Sequence, residues 1–281
     1  MLKSECFIFS SSVENGALYK SNNNDEFSVQ FTSPIFLPQN ASNARLEVSA
    51  AQIWNNSPNI NSTNNKIVIR DPNGDHEIYV EIGLYDFTSL FQQIALQYDN
   101  KNINPAPYWK FEDVFRWDGN YSTQKLSITY LYTNDAKINQ LEILWNQSTI
   151  TSLLGFTNAS LTRPSKVSTA SVNYSITSDT YAKFNTYNSF LIQTDLVNAG
   201  IAVNNNFNNI VGQVPIPPDS VGTLINYRAS TPNMFAMCNN LIGMNNAKYQ
   251  ARFKITDENT GLLIFPDDYT FTIMISWFES E

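Results

Sequence analysis

Apolar side chains alternate with polar ones at both ends of this 281-residue chain, and that period of two constrains the fold more than any other feature. In Glu26–Phe31 (EFSVQF), Phe27, Val29 and Phe31 share a face. In Ala247–Thr256 (AKYQARFKIT), Tyr249, Ala251, Phe253 and Ile255 do the same. Successive side chains of a strand point to opposite sides, so each segment offers one oily and one polar face, as in a sheet covered on one side. Cys6–Ser10, Arg45–Trp54, Ser189–Val197, Asn209–Pro215, Thr223–Tyr227 and Tyr269–Phe278 read as further strands. In Arg45–Trp54 the inward residues are Leu46, Val48 and Ala50, and the face must switch before Ile53 if Trp54 also packs. Ser33-Pro34 is expected to stop the second strand, because proline cannot donate to a ladder.

Three of these strands precede residue 60 and five follow residue 187, the eight that a jelly roll requires. The expected fold is all-β: a single eight-stranded jelly-roll β-sandwich from residues 1–60 and 187–281, with residues 61–186 as a large mixed insertion containing a helix and hairpins. Within the insertion, Lys66–Arg70 and Glu77–Ile82 flank the turn signal Asp71-Pro72-Asn73-Gly74-Asp75 and should pair as a hairpin. Phe87, Leu90, Phe91, Ile94 and Tyr98 fall at helical spacing, with Asp86 or Thr88 available as the cap. Lys125–Tyr132 and Gln140–Trp145 read as a second hairpin across Thr133–Asn139. Ser148–Leu154 reads as a short helix ending on Gly155 as a left-handed cap. Residues 103–119 lack periodicity, and 157–185 are polar and carry few assignable elements.

Charged residues make up 15 % of the chain, below the roughly 25 % of an average soluble domain. Asn takes much of their place, in runs such as Asn22-Asn23-Asn24 and Asn204-Asn205-Asn206, which suits a fold of many turns. With 17 basic against 25 acidic residues and no basic run, the chain is not expected to grip nucleic acid, which demands several Lys or Arg per footprint. No apolar run approaches the ~20 residues of a membrane span, and MLKSECFIFSSS lacks the apolar stretch of a signal peptide. Cys6 and Cys238 are too few for a disulfide framework, are expected as free thiols, and fit a reducing compartment. The sequons at Asn120 and Asn158 are what chance supplies in an Asn-rich chain.

Candidate chemistry is sparse. His76 is the one histidine, so any Ser-His-Asp or Cys-His mechanism would have to use it, yet it sits by a hairpin turn. Asp71, Asn73, Asp75 and Glu77 alternate as in a calcium loop, but Gly74 stands fourth rather than sixth and no acid closes a twelve-residue loop. A plain turn is the expectation there. Two distant cysteines and one histidine cannot build a zinc site. The carboxylate pairs Glu112-Asp113, Asp257-Glu258 and Asp267-Asp268 are sequence neighbours in loops, whereas a glycosidase needs two acids facing across a cleft. No phosphate-binding glycine loop exists. Accordingly no catalytic, cofactor-binding or metal-binding residue is assigned, no cofactor is expected, and the chain is read as a non-enzyme. Tyr108, Trp109, Phe111, Phe115, Trp117 and Tyr121 form an aromatic stretch open to two readings: a sugar-stacking platform, or core and subunit contact.

The two ends of the chain resemble the penton proteins of virophages and of the related Polinton-like viruses. At the front the resemblance runs through Phe7–Ser10, Glu26–Phe31, Ile35–Leu37 and Arg45–Ala50. At the back, Val211-Gly-Gln-Val-Pro-Ile216 is similar to a V-G-D-V-like segment, departing at Gln213. Ala251–Asp257, Gly261, Pro266 and Tyr269–Ile273 follow the family's closing pattern of strand, turn and strand. Gly83-Leu-Tyr85, leading into Leu90 and Ile94, resembles a G-x-Y helix start of that lineage. The resemblance covers about half the chain and implies a capsid subunit of an icosahedral virion, assembled inside the infected host cell. Its implied partners are itself, as a homopentamer at the fivefold vertices, and trimers of a major capsid protein. The alternatives are a lectin-like attachment or minor capsid protein and a jelly-roll major capsid protein.

Overall fold

The computed structural model describes residues 1–71, 74–101, 110–120, 122–131, 142–156, 173–184, 187–198, 200–203, 206–217, 220–230, 234–258 and 263–280. The chain forms two compact units, Met1–Ser57 with Tyr187–Glu281, and Pro58–Thr186. The first unit opens with β1 (Leu2–Ser10), β2 (Ala17–Lys20), β3 (Glu26–Ile35) and β4 (Ala41–Trp54). The second carries β5 (Lys66–Asp71), β6 (Gly74–Tyr79), helices α1 (Phe87–Asn100) and α2 (Phe111–Val114), β7 (Phe115–Asn120) and β8 (Lys125–Tyr130). It ends with β9 (Glu142–Ile143), α3 (Thr151–Leu154) and β10 (Tyr174–Thr177). The chain then returns to the first unit with β11 (Ser189–Thr194), β12 (Ile201–Val203), β13 (Asn206–Pro215), β14 (Leu224–Arg228), β15 (Ala236–Met237), β16 (Lys248–Thr256) and β17 (Thr270–Glu279).

The longer strands of the first unit pair from the outside of the chain inward: β1 with β17, β3 with β16, β4 with β14, and β11 with β13, all antiparallel. Pairing first with last in this way makes one long antiparallel ribbon. Wrapping that ribbon brings β17 beside β4 and β16 beside β11. The result is two facing sheets in the orders β1-β17-β4-β14 and β12-β13-β11-β16-β3-β2, with β15 added to β4. This is jelly-roll order, and it makes the fold all-β. The inner faces meet in an aromatic core, where Phe253 lies 4.4 Å from Phe9, 5.1 Å from Phe271 and 5.4 Å from Phe27 between ring centroids.

Two details of these strands differ from expectation. Ser33-Pro34 does not stop β3, which continues to Ile35. Its register against β16 jumps from Gln30↔Gln250 to Ile35↔Lys248, so Pro34 lies in a bulged stretch where its missing N–H leaves no ladder bond unmade. In β4 the face switches earlier than expected. The partner of Val48 is Ile273 and that of Ala50 is Thr272, which leaves Ser49 as an extra residue. That bulge turns Ala51 and Ile53 into the core, leaves Ala50 outside it, and exposes Trp54. The strand expected over Ser189–Val197 ends at Thr194, whose Oγ1 accepts from Leu196 N (3.3 Å) as the chain turns.

The second unit has its own core of Ile67, Ile69, Ile78, Leu90, Ile94, Phe111, Ile128 and Trp145, among others. Helix α1 starts at Asp86, not Thr88: Asp86 Oδ1 accepts from Ser89 N (2.7 Å), and Asp86 N donates to Ser89 Oγ (3.0 Å). This reciprocal cap satisfies two donors that the first turn leaves open. Leu90, Ile94 and Tyr98 then face inward, as their spacing requires. β5 and β6 form the expected hairpin, though its turn residues Pro72 and Asn73 lie outside the described residues. Among the described residues the second expected hairpin does not form. β8 pairs with β7 and β10, while β9 pairs with β5. The intended turn, Thr133–Asn139, lies outside the described residues. α3 ends on Gly155 at φ 79°, where a Cβ would meet Thr180 O at 2.4 Å.

Candidate assembly surfaces

The two sheets of the first unit present unlike outer faces. On β1-β17-β4-β14 that face carries Cys6, Ile8, Ala50, Gln52, Thr270, Thr272 and Met274, with Leu224 opposite Trp54. Ile8 is 78 % exposed. At the β15 side, Arg45 sits 4.4 Å over the ring of Phe235, beside the exposed Met237. Arg45, Glu47 and Arg228 are the charges on these strands' outward positions. The other sheet turns out Glu26, Gln30, Gln193, Gln213, Gln250, Arg252 and Lys254. Arg252 pairs with Glu26 through Nε at 2.6 Å, and Gln193 Nε2 donates to Thr256 Oγ1 at 3.1 Å. Gln213 Nε2 donates to Ser189 Oγ at 2.8 Å, which ties β13 to β11. The first face therefore mixes apolar with uncharged polar side chains and carries few charges, while the second is largely polar and internally bonded. Low charge favours contact between copies of an acidic chain, since like charges repel.

The edges carry a second asymmetry. Met1 and Glu279 exchange both backbone bonds (Met1 N to Glu279 O 2.7 Å, Glu279 N to Met1 O 2.9 Å), and Ser11 N donates to Tyr269 O (3.0 Å). In an antiparallel ladder bonded pairs alternate, so the odd residues of β1 bond β17 and the even ones aim their N–H and C=O away from it. Among the described residues no strand pairs with that outer edge of β1. Beside it opens a groove of about 560 Å³ lined by Lys3, Glu5, Phe7, Ser33, Phe36 and Trp277. Here the facing sheet has bulged away, so the inward positions Lys3 and Glu5 are exposed. Sequence reasoning began this strand at Cys6 and missed its first four residues, because charged inward positions break the alternation.

The residues with catalytic potential are dispersed. His76 is half-buried in β6 opposite Ile69. Asp75 takes a two-pronged bond from Arg70 (2.6 and 3.0 Å), which holds its carboxyl below the usual range. Glu77 accepts from Lys66 (2.8 Å) and from the Tyr79 hydroxyl (2.7 Å), and its carboxyl is lowered likewise. Asp113 accepts from Lys110 N (3.1 Å) at the start of α2. Glu258 accepts from Asn188 Nδ2 (2.9 Å), Asp267 from Asn56 Nδ2 (2.5 Å), and Asp268 from Lys20. Among the described residues no three His, Cys, Asp or Glu converge as a metal site, and no helix is long and apolar enough to cross a membrane. Of the aromatic stretch, Phe111, Phe115 and Trp117 are buried in the second unit's core and offer no stacking face. Tyr108, Trp109 and Tyr121 lie outside the described residues. Cys6 and Cys238 are both free thiols, the first exposed and the second buried.

Strand order and surfaces thus define a mostly β protein of jelly-roll type with one sparsely charged outer face and an open sheet edge. No protein-family model matches the chain, and no curated protein matches it. Among solved structures it is similar to the mavirus penton protein, a virophage penton, at a TM-score of 0.48 and 11 % identity, covering 98 % of this chain and 100 % of that one.

Proposed function

We propose that this chain is a structural, non-enzymatic capsid protein that forms homopentamers at the fivefold vertices of an icosahedral virion. The observation that carries this reading is the ribbon order of the first unit, in which strands from both ends of the chain interlock into one sandwich. Such a block is stiff, because β1, β3, β4 and β11 are each bonded to a strand far away in sequence. Stiffness and a repeated heterologous contact are what a closed ring of identical subunits needs. The quoted resemblance of both ends to virophage pentons points the same way.

On this reading residues 1–60 and 187–281 are the building block and residues 61–186 an insertion domain. Neighbouring copies meet along the sheet β1-β17-β4-β14, trimers of a major capsid protein surround the ring, and nucleic acid is not contacted. Assembly takes place inside the infected host cell. Light scattering of the purified protein tests the proposal: the expected species has five times the 31.8 kDa protomer mass. A stable trimer or monomer at working concentrations overturns it.

A further inference from the structure

The sheet β1-β17-β4-β14 has two free edges, and they complement each other. On β14, Asn55 N donates to Thr223 O (2.9 Å) and Ala229 N to Ser49 O (2.9 Å). Alternation then assigns Ile225 and Tyr227 to the ladder with β4 and turns the backbone of Leu224, Asn226 and Arg228 outward. β1 turns out Leu2, Ser4, Cys6 and Ile8 in the same way. Among the described residues neither edge has a partner strand. We infer that the β1 edge of one copy pairs with the β14 edge of the next, continuing the sheet from subunit to subunit around the ring.

Three observations carry this. First, all neighbours in the sheet are antiparallel and there are four along its path, so the two edge strands run in opposite directions. A head-to-tail junction therefore preserves the alternation. Second, side chains at the outward backbone positions of both strands lie on the same outer face, so a junction can set apolar Ile8 beside apolar Leu224. The register that sets exposed Ile8 against exposed Leu224 also sets Cys6 against Asn226 and Ser4 against Arg228. Third, Lys3 and Glu5 offset each other on β1 and Arg228 is the sole charge on β14, so these edges escape the repulsion expected of an acidic chain meeting its copy. Long edges carrying exposed Ile and Leu are pairing sites unless something blunts them; on β1 the charges Lys3 and Glu5 sit at its first inward positions, and from Cys6 to Ser10 the edge carries no charge, proline or bulge. The inference rests on the pentamer reading and names the strands that would make its contact.

The natural Cys6 supplies the test. Opposed residues of a bonded antiparallel pair stand about 5.5 Å apart at Cα, within disulfide reach. Asn226→Cys, oxidised as the assembled protein, is expected to give a covalent ladder ending at five chains. The same variant with Cys6→Ser is expected to give none. Cys6–Cys6 dimers as the sole product mean a twofold edge contact and overturn the inference. Ser4→Pro removes an outward N–H that the protomer itself does not use. It is expected to yield folded monomers whose unfolding midpoint falls only by the association lost, whereas Glu5→Pro also strikes a bond to β17 and is expected to lower the midpoint further. If pentamers survive Ser4→Pro and the Asn226→Cys ladder is missing, the edge junction is wrong while the pentamer stands. A parent protein that is monomeric removes both.

Discussion

Gly212 of β13 lies directly against Val48 of β4: a Cβ built on Gly212 would stand 2.6 Å from Val48 Cγ2 and 2.7 Å from Val48 Cβ. Real side chains do not tolerate that distance, so the two facing sheets approach here only because position 212 is bare. Val48 is itself buried and cannot swing aside.

Gly212→Ala is therefore expected to destabilise the first unit by about 1–3 kcal/mol, the usual cost of overpacking a core. Denaturant melts of the single variant, of Val48→Ala and of the double variant check it. The double variant should recover part of the loss, because two residues in contact couple. Strict additivity would show that the close approach has no energetic consequence.

The Val211-Gly-Gln-Val214 segment singled out in the sequence thus has a packing reason visible only in three dimensions. Much of the fold was legible: strong alternation marked the long strands of the first unit, because their inner faces meet one shared core. What alternation cannot state is partnership. β8 is an ordinary alternating strand, but its neighbours β7 and β10 lie in stretches read as lacking periodicity or assignable elements, and β9 has only two residues. Proximity in sequence therefore suggested the wrong hairpin. The candidate surfaces were less legible still. In Cys6–Ser10, Phe7 and Phe9 alternate with Cys6 and Ile8, so both faces carry apolar side chains, and it takes the packing of β1 to show that Ile8 is the one turned to solvent.

Tyr269 makes a second prediction. Its ring is packed near Phe27, Phe265 and Phe271, only 2 % of the residue is exposed, and the buried hydroxyl has no hydrogen-bond partner among the described residues. Burial pushes the phenol well above its ordinary range, with Asp25 and Asp268 nearby adding to the effect. An unpaired buried hydroxyl costs about 1–3 kcal/mol, so Tyr269→Phe should leave stability unchanged or raise it. A loss of stability larger than about 1 kcal/mol on denaturant titration would show that the hydroxyl does make a bond.

The thiols should separate cleanly. Cys238 is fully buried, and burial pushes its thiol up to about 12, so the thiolate that reacts is scarce at neutral pH. Cys6 is exposed. An aromatic disulfide reagent at pH 8 is expected to titrate one thiol per folded chain, and two after denaturation. Two fast equivalents in the folded protein would contradict the burial of Cys238.

Asp268 couples the first unit to pH. Lys20 bonds its carboxylate and Ser11 Oγ donates to the same oxygen at 3.3 Å, so its titration is lowered from 3.8, with the Lys20 bond as the largest cause. A carboxyl whose folded value lies below its unfolded value stabilises fully above the unfolded value, and loses that contribution as pH falls through the folded one. The side chain is 43 % exposed, which places the ion pair with surface bridges worth up to about 1 kcal/mol. Asp268→Asn is therefore expected to lower stability slightly at pH 7. The gap to the parent should narrow as pH falls below 3.8 and close once it has passed through the lowered folded value, where both side chains are neutral. Urea melts of both proteins across pH 2–7 read the difference. A gap that stays constant into acid would assign the contribution of Asp268 to geometry rather than charge.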